Sequence, residues 1–297
     1  MVSRNSVVFN AILPIIYLGG AAAVQLLGAK FYLKSKPDWI IVSLFFIVTA
    51  GIYLLNRIVD KEDKFNNLPR WLFFNGTTGR TYFWIALAGI TLFGPVVVLV
   101  ILQFFDSALL FAAIAFIGVA YSVKILPVLS EKKIIWISLK DIPLLKTIVV
   151  SAIWAGASLL LAAITTNNNF FRYDILVVFA TFFVSTFCST VTSDVKDIEG
   201  DRIRKVYTLP VLFGPDVTFR LLSIVSMSSI IIISLLGFQK VISFQLTLFS
   251  CFCMGWAGLT MIPQYFKVLP ISKTSIELLV DSHLMLSPIG LALFYFV

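Results

Sequence analysis

Two short segments of the chain carry carboxylates at helical spacing. In the first, NRIVDKED, residues Asn56, Asp60 and Asp63 stand at positions i, i+4 and i+7, which share one face of an α-helix. In the second, SDVKDIEGDRIRK, carboxylates recur at i, i+3 and i+7; they are Asp194, Asp197 and Asp201. Each segment therefore predicts a helix face lined with oxygen atoms that can bind a cation.

Carboxylates at this density repel one another and raise each other's pKa unless a cation lies among them. Mg²⁺ prefers oxygen ligands, and proteins commonly hold it with one or two carboxylates plus the phosphates of a substrate. Three basic residues that would suit a metal-bound diphosphate are close to these segments in the sequence, Arg70 after the first and Arg202 and Lys205 in the second, and Lys124 is a further candidate. The pair of segments predicts a magnesium–diphosphate site, although either one alone would also suit a solvated loop with local charge pairs.

The composition predicts that membrane helices position these residues. The chain has 297 residues, of which 59% are hydrophobic and 13% charged, whereas soluble domains carry about 25% charged residues. Crossing a bilayer takes about 20 apolar residues in a helix, and the apolar runs do not alternate with polar residues as barrel strands do. We predict nine helical spans, the first of them retained and not removed as a signal peptide: 9–29, 39–56, 82–103, 107–123, 143–165, 174–194, 217–237, 243–263 and 280–297.

The basic residues predict the orientation of these spans. With nine spans, 18 of the 23 Lys and Arg residues lie on the side of the N-terminus, and the positive-inside rule places that side in the cytoplasm. Both acidic segments follow even-numbered spans, so their carboxylates are expected at the cytoplasmic face, and they would converge if the helix ends lie together. We expect a multi-pass protein of the inner (plasma) membrane of a prokaryote. The net charge of +8 resides in short loops between spans and does not indicate nucleic-acid binding.

The two acidic segments resemble the aspartate-rich motifs of the UbiA superfamily of intramembrane prenyltransferases. NRIVDKED is similar to the first motif, NDxxDxxxD, and DVKDIEGDRIRKVYTLPVLFG resembles the second, DxxxD, with its GDR…TLPV…G continuation. Tyr121 and Lys124 in AYSVK resemble the family's tyrosine–lysine pair, and LKDIPLLK (139–146) is similar to the stretch that leads into the fifth span. The resemblance implies an all-α bundle of about nine transmembrane helices, forming one domain over residues 1–297 with a cavity at the cytoplasmic side.

The resemblance also implies a reaction and roles for residues. Two Mg²⁺ ions would bridge the diphosphate of a polyprenyl donor, and its departure would leave an allylic cation for a lipophilic acceptor, often an aromatic ring, to attack. The implied metal ligands are Asp60, Asp63, Asp197 and Asp201. The implied substrate-binding residues are Asn56, Arg70, Lys124, Asp194, Arg202 and Lys205. Tyr121 would hydrogen-bond the diphosphate, and Glu277 and Asp281 are further candidates near the last span.

The first motif departs from the family pattern at three positions. Arg57 replaces an aspartate, Asp63 falls one residue before the expected third acid, and Lys64 occupies that acid's place. These departures leave a second reaction open, in which a membrane terpene cyclase ionises a prenyl diphosphate without any acceptor. A transporter is the third alternative, but transport sites use charges near the bilayer midplane, and the mid-span positions here are almost free of charge.

Overall fold

A computed structural model describes the chain at residues 4–59, 68–130, 133–142, 144–166, 168, 170–196, 198–203, 206–266 and 282–296. The chain divides into two compact units, one comprising Met1–Ala23 and Asp38–Asp141, the other Val24–Pro37 and Ile142–Val297. Within the described residues, eight helices are long and apolar enough to cross a membrane. The ninth predicted span, 280–297, contains the shorter helix His283–Phe296, and residues 280, 281 and 297 lie outside the description.

The first unit is built from long helices, one short helix and a small hairpin. Its elements are the first part of α1 (Arg4–Tyr32), then α2 (Trp39–Val59), α3 (Leu68–Asn75), α4 (Thr78–Ile101), α5 (Phe105–Ser122), β1 (Leu126–Ser130), β2 (Lys133–Ile137) and a 3₁₀ turn at Leu139–Asp141. Helix α2 packs against both α4 and α5. The apolar core where α1, α2, α3 and α4 meet comprises Ala11, Ile15, Leu54, Ile58, Phe74 and Ala88.

The hairpin lies in a segment that the sequence predicts only as a cytoplasmic loop. Strands β1 and β2 are antiparallel, with Leu126 opposite Ile137 and Ser130 opposite Lys133. Strand β2 is rich in isoleucine and tryptophan, which favour extended backbone, but each strand has only five residues. Runs this short give little periodic signal, so the hairpin adds one local sheet to a chain that is otherwise all-α.

The second unit surrounds one central helix. Its elements are the last part of α1, then α6 (Leu145–Thr165), α7 (Tyr173–Lys196), α8 (Ile198–Ile203), α9 (Leu209–Phe238), α10 (Phe244–Phe266) and α11 (His283–Phe296). Helix α7 contacts α6, α8, α9, α10 and α11. A buried apolar cluster joins α7, α9 and α10 and comprises Cys188, Val191, Phe219, Leu222, Ala257 and Met261.

Helix α9 starts earlier than the predicted span because it includes a short leading segment. The backbone breaks at Gly214, where φ is 77° and ψ is 164°, a conformation that is essentially restricted to glycine. Pro215 follows and starts the longer segment with its fixed φ and without a backbone donor. The apolar run from 217 therefore marks only the second, membrane-spanning part of α9.

Asp174, in the first turn of α7, is held by two neighbouring side chains. The Tyr32 hydroxyl donates to Asp174 Oδ2 at 2.8 Å, and Arg172 pairs with the same oxygen at 2.7 Å. These bonds connect the end of α1 to the start of α7. Asp174 therefore has a structural role at this end of α7.

Candidate active site

The second acidic segment lies at the end of the central helix of the second unit. Asp194 belongs to the last turn of α7 and Asp201 to the short helix α8, and both side chains are buried. Asp197, the predicted metal ligand between them, lies outside the described residues. Two ionised carboxylates that are removed from water require nearby positive charge or hydrogen-bond donors, so the surrounding residues decide what this segment can do.

The positive charge comes from Lys146, near the start of α6. Its Nζ lies 2.8 Å from Asp194 Oδ1 and 3.8 Å from Asp201 Oδ2. The neighbouring Thr147 hydroxyl donates to Asp194 Oδ2 at 3.2 Å. Asp194 and Asp201 are therefore brought to one ammonium group, although they lie in two different helices, α7 and α8. We name Lys146, Asp194 and Asp201 the lysine–diacid cluster.

The backbone before α6 directs Lys146 to this place. Leu144 has a φ of 60°, a left-handed conformation that costs a residue with a Cβ roughly 1–2 kcal/mol. Helix α6 begins immediately afterwards at Leu145, so Lys146 and Thr147 both lie in its first turn. The packing of α6 along α7 then places this turn beside the last turn of α7.

Lys146 is not among the site residues predicted from the sequence. Its segment, LKDIPLLK, is similar to a family segment, but along the sequence this lysine is only one of many basic residues on the predicted cytoplasmic side. The pairing joins residues 48 positions apart, and no spacing rule along the chain predicts it. The sequence feature that could have predicted its role is a basic residue at the start of a membrane helix, at the end of the segment LKDIPLLK.

The first acidic segment is described only in part, within the first unit. Asn56 lies in the last turns of α2, which ends at Val59, and its Oδ1 accepts a hydrogen bond from Lys140 Nζ at 3.3 Å. Asp141, next to Lys140 in the 3₁₀ turn, accepts bonds from the backbone N–H and hydroxyl of Ser138. Asp60 and Asp63 lie outside the described residues.

The remaining candidates are dispersed over several elements. Tyr121 lies half-buried in the last turn of α5, and Lys124 is exposed just before β1. Arg70 is half-buried in α3, while Arg202 is exposed on α8, one residue after Asp201. Lys205, Glu277 and Asp281 lie outside the described residues.

The lysine–diacid cluster has the donor chemistry of a magnesium site. Its carboxylate oxygens are the hard ligands that Mg²⁺ prefers, and the ammonium of Lys146 shows that this position already demands positive charge. Among the described residues, no three His, Cys, Asp or Glu side chains form a group that could hold a metal. Three of the four predicted ligands, at positions 60, 63 and 197, fall outside that part of the chain.

Comparisons with known proteins agree on one family. The sequence model of the UbiA prenyltransferase family matches residues 21–267. None of the curated proteins compared with the chain matches it.

Solved structures of the same family have a similar fold. A UbiA homologue from Archaeoglobus fulgidus bound to DMAPP and Mg²⁺ has a TM-score of 0.62 at 15% identity, covering 97% of this chain and 99% of that one. A digeranylgeranylglyceryl phosphate synthase has a TM-score of 0.59 at 16% identity, covering 97% and 96%. The apo UbiA homologue from Aeropyrum pernix K1 has a TM-score of 0.59 at 13% identity, covering 95% and 97%.

These structural similarities extend over nearly the full length of each chain. At such low sequence identity they show that the fold is shared. They confirm the all-α, polytopic architecture, and the family match confirms the resemblance carried by the two acidic segments. With eight apolar helices of spanning length among its described residues, this chain is a multi-pass integral membrane protein and belongs to the UbiA prenyltransferase family.

Proposed function

We propose that this chain is a magnesium-dependent intramembrane prenyltransferase that moves a polyprenyl group from its diphosphate to an aromatic or other lipophilic acceptor. The observation that carries the proposal is the lysine–diacid cluster, in which two buried carboxylates of the second motif lie beside the ammonium group of Lys146. It is supported by membership of a family of prenyltransferases and by homologues whose structures contain GPP or DMAPP together with Mg²⁺.

The four aspartates of the two motifs are our proposed metal ligands. They are Asp60, Asp63, Asp197 and Asp201. Bound Mg²⁺ would supply Lewis-acid stabilisation of the departing diphosphate and a template for its orientation. We propose that the protein's own cations, Arg70, Lys124, Arg202 and Lys205, neutralise the charge that remains on the diphosphate, because basic side chains form strong charge-assisted bonds to phosphate oxygens.

Residues beside the motifs hold Asp194 and Asn56, which lie next to the proposed ligands in the sequence. Lys146 and Thr147 hold both oxygens of Asp194, which keeps the end of α7 in one geometry. Lys140 similarly holds the amide of Asn56 at the end of α2, and we propose that this amide orients the first motif or touches the diphosphate. The Tyr121 hydroxyl is our candidate donor to the diphosphate.

The proposal predicts that Asp201→Asn abolishes the release of diphosphate. Removing a ligand charge should lower the rate by at least about 100-fold, measured as diphosphate released from labelled prenyl diphosphates by the detergent-purified protein. Asp106→Asn is the matched control, because Asp106 is exposed in the first turn of α5. Chelation of divalent cations should stop the unsubstituted protein in the same assay. Full activity in Asp201→Asn would contradict the proposed metal site.

A cyclase is the second candidate, favoured by Arg57 and Lys64 in the first motif. A cyclase needs only a prenyl diphosphate and metal, whereas a transferase needs an acceptor as well. Incubation with prenyl diphosphates of several lengths, with and without membrane lipid extract, followed by mass spectrometry of the products, separates the two. A cyclic hydrocarbon formed without extract would establish the cyclase, and a prenylated lipid formed only with extract would establish the transferase.

We further propose that the two acidic motifs face the cytoplasm in the inner membrane of a prokaryote. The excess of Lys and Arg on that side supports the orientation. The proposed reaction agrees with it, because a charged diphosphate donor requires an aqueous approach to the site while its prenyl tail enters an apolar region.

A further inference from the structure

We infer that one face of the β1–β2 hairpin docks onto the lipid surface of the bilayer. Residues directly opposite each other in an antiparallel pair share a face of the sheet. The pairs Pro127–Trp136 and Leu129–Ile134 therefore present four apolar side chains on a single face. We name these four residues the apolar hairpin face.

Within the part of the chain that the structure describes, the apolar hairpin face is left exposed. Leu129 is 76% exposed, Ile134 67% and Trp136 58%, and Pro127 is exposed as well. The opposite face is apolar as well but less exposed, with Val128 at 39% and Ile135 at 45%, and with Leu126 and Ile137 only partly exposed. Contiguous apolar side chains that face outward usually mark a surface that binds a partner or a membrane.

The length of the connection to α5 keeps the hairpin close to the bilayer. Strand β1 starts at Leu126, four positions after α5 ends at Ser122, and four extended residues span at most about 14 Å. Each strand is five residues long, which corresponds to about 17 Å. Since α5 is a membrane-spanning helix, the hairpin lies within reach of the headgroup region and can lie along it.

The residue types at this position suit an interface between lipid and water. Tryptophan is enriched at that boundary because its ring combines apolar faces with a polar N–H. Lysines 124, 132 and 133 flank the strands in the sequence, and basic residues near an anionic membrane surface are attracted to it. An apolar face bordered by lysines is the pattern of elements that lie in the plane of the interface.

The size of the face favours lipid over a second copy of the chain. A stable protein interface buries about 800 Å² on each partner and uses some 20 residues a side, whereas this face has four residues. A bilayer surface demands no such shape-matched area. The lipid surface is also continuous with the membrane-spanning surface of α5, from which the hairpin extends.

Docking of this face would restrain a turn of the first unit that contacts Asn56, a residue of the proposed site. Ser138 follows β2 directly and is bonded to Asp141 through both its backbone and its hydroxyl. Lys140, within the same turn, donates to Asn56 at the end of α2. A hairpin held at the lipid surface therefore holds the turn that carries this lysine.

The test uses nitroxide spin labels on the full chain in nanodiscs that contain phosphatidylglycerol. Leu129→Cys and Ile134→Cys place labels on the apolar hairpin face, and Val128→Cys places the matched control on the opposite face. All three are made in a Cys251→Ser background, since the other two cysteines are buried. Collision rates are measured with oxygen, which is concentrated in lipid, and with a nickel chelate, which is confined to water.

Docking predicts that labels at 129 and 134 collide more with oxygen than with nickel, at a depth of about 5–10 Å, while the label at 128 shows the reverse. Equal nickel collision rates at 128 and 129 would overturn the inference, because both faces would then be in water. Low collision rates with both reagents, or spin–spin broadening between labels, would also overturn it by showing that protein covers the face.

Discussion

At the scale of single residues, one lysine ammonium lies within ion-pair distance of two buried carboxylates. Lys146 pairs directly with Asp194 and lies within ion-pair distance of Asp201. A buried ion pair contributes little net stability, but removing one partner lowers the stability of the protein strongly, because the remaining charge is left uncompensated. Loss of the lysine should therefore lower the stability of the protein, and a divalent cation should restore part of it.

Lys146→Gln should lower the free energy of unfolding by about 2–4 kcal/mol in metal-free buffer. The remaining carboxylates then repel each other, and Mg²⁺ at millimolar concentration should restore part of the loss. Thermal unfolding in detergent, with and without Mg²⁺, measures both effects. Lys146→Arg keeps the charge and is the control. If Mg²⁺ raised the unfolding temperature of the glutamine variant and of the unsubstituted protein equally, a cation site at these carboxylates would be contradicted.

At the scale of elements, three helices end in the same kind of tight turn, which separates each of them from the next span in a few residues. After α1, α4 and α9, the chain turns at Lys34, Gln103 and Lys240, each with a positive φ between 54° and 62°. At each turn two backbone N–H groups reach back to helix carbonyls, for example Gln103 to Val100 and Phe104 to Leu99. This is the Schellman motif, which ends a helix in very few residues.

The motif predicts that Gln103→Gly stabilises the protein. Glycine adopts a positive φ without the cost that a Cβ imposes, and part of that gain is offset by the entropy of the unfolded chain. The net increase should be about 0.5–1 kcal/mol, measured by thermal or denaturant unfolding in detergent. Leu102→Gly is the control, because Leu102 has a φ of −81° and gains nothing from glycine. A stability loss at 103 equal to that at 102 would contradict this explanation.

Close helix packing predicts a second effect at this scale. A Cβ added at Gly28 of α1 would lie 2.7 Å from Pro288 Cβ and 2.8 Å from Pro288 O in α11, and such overpacking costs about 1–3 kcal/mol. Gly28→Ala should therefore lower the unfolding temperature. Gly255→Ala in α10, where a Cβ would meet nothing within 4 Å, should be neutral or slightly stabilising. Equal melting temperatures for the two variants would show that α1 and α11 separate easily.

At the scale of the whole molecule, the charge asymmetry of the loops predicts the orientation of the chain. An impermeant maleimide should label Lys36→Cys, in the loop after α1, in intact cells. It should label Thr78→Cys, at the start of α4, only after the membrane is permeabilised. Both positions are exposed, and the Cys251→Ser background removes the most accessible native thiol. The reverse pattern of labelling would overturn the cytoplasmic placement of the acidic motifs.

Much of the architecture could be predicted from the sequence because a span is a local property. Its length is set by the thickness of the bilayer, so an apolar run reveals it without knowledge of its neighbours. Eight predicted spans correspond to the eight long apolar helices of the structure. Two five-residue strands carry too little periodicity to predict the hairpin. The polar break at Gly214, Pro215 and Asp216 separates the leading segment of α9 from the apolar run, so the run does not show where the helix starts.

By itself, the sequence determined the membrane class, the positions of the spans and the family resemblance of the acidic motifs. These depend on composition and on spacing along one helix. Only the tertiary structure showed that Lys146 meets Asp194 and Asp201, and that four apolar residues share one exposed face of the hairpin. The physical reason is that such contacts depend on which helices and strands pack together, and side chains that are adjacent in space need not be close along the chain.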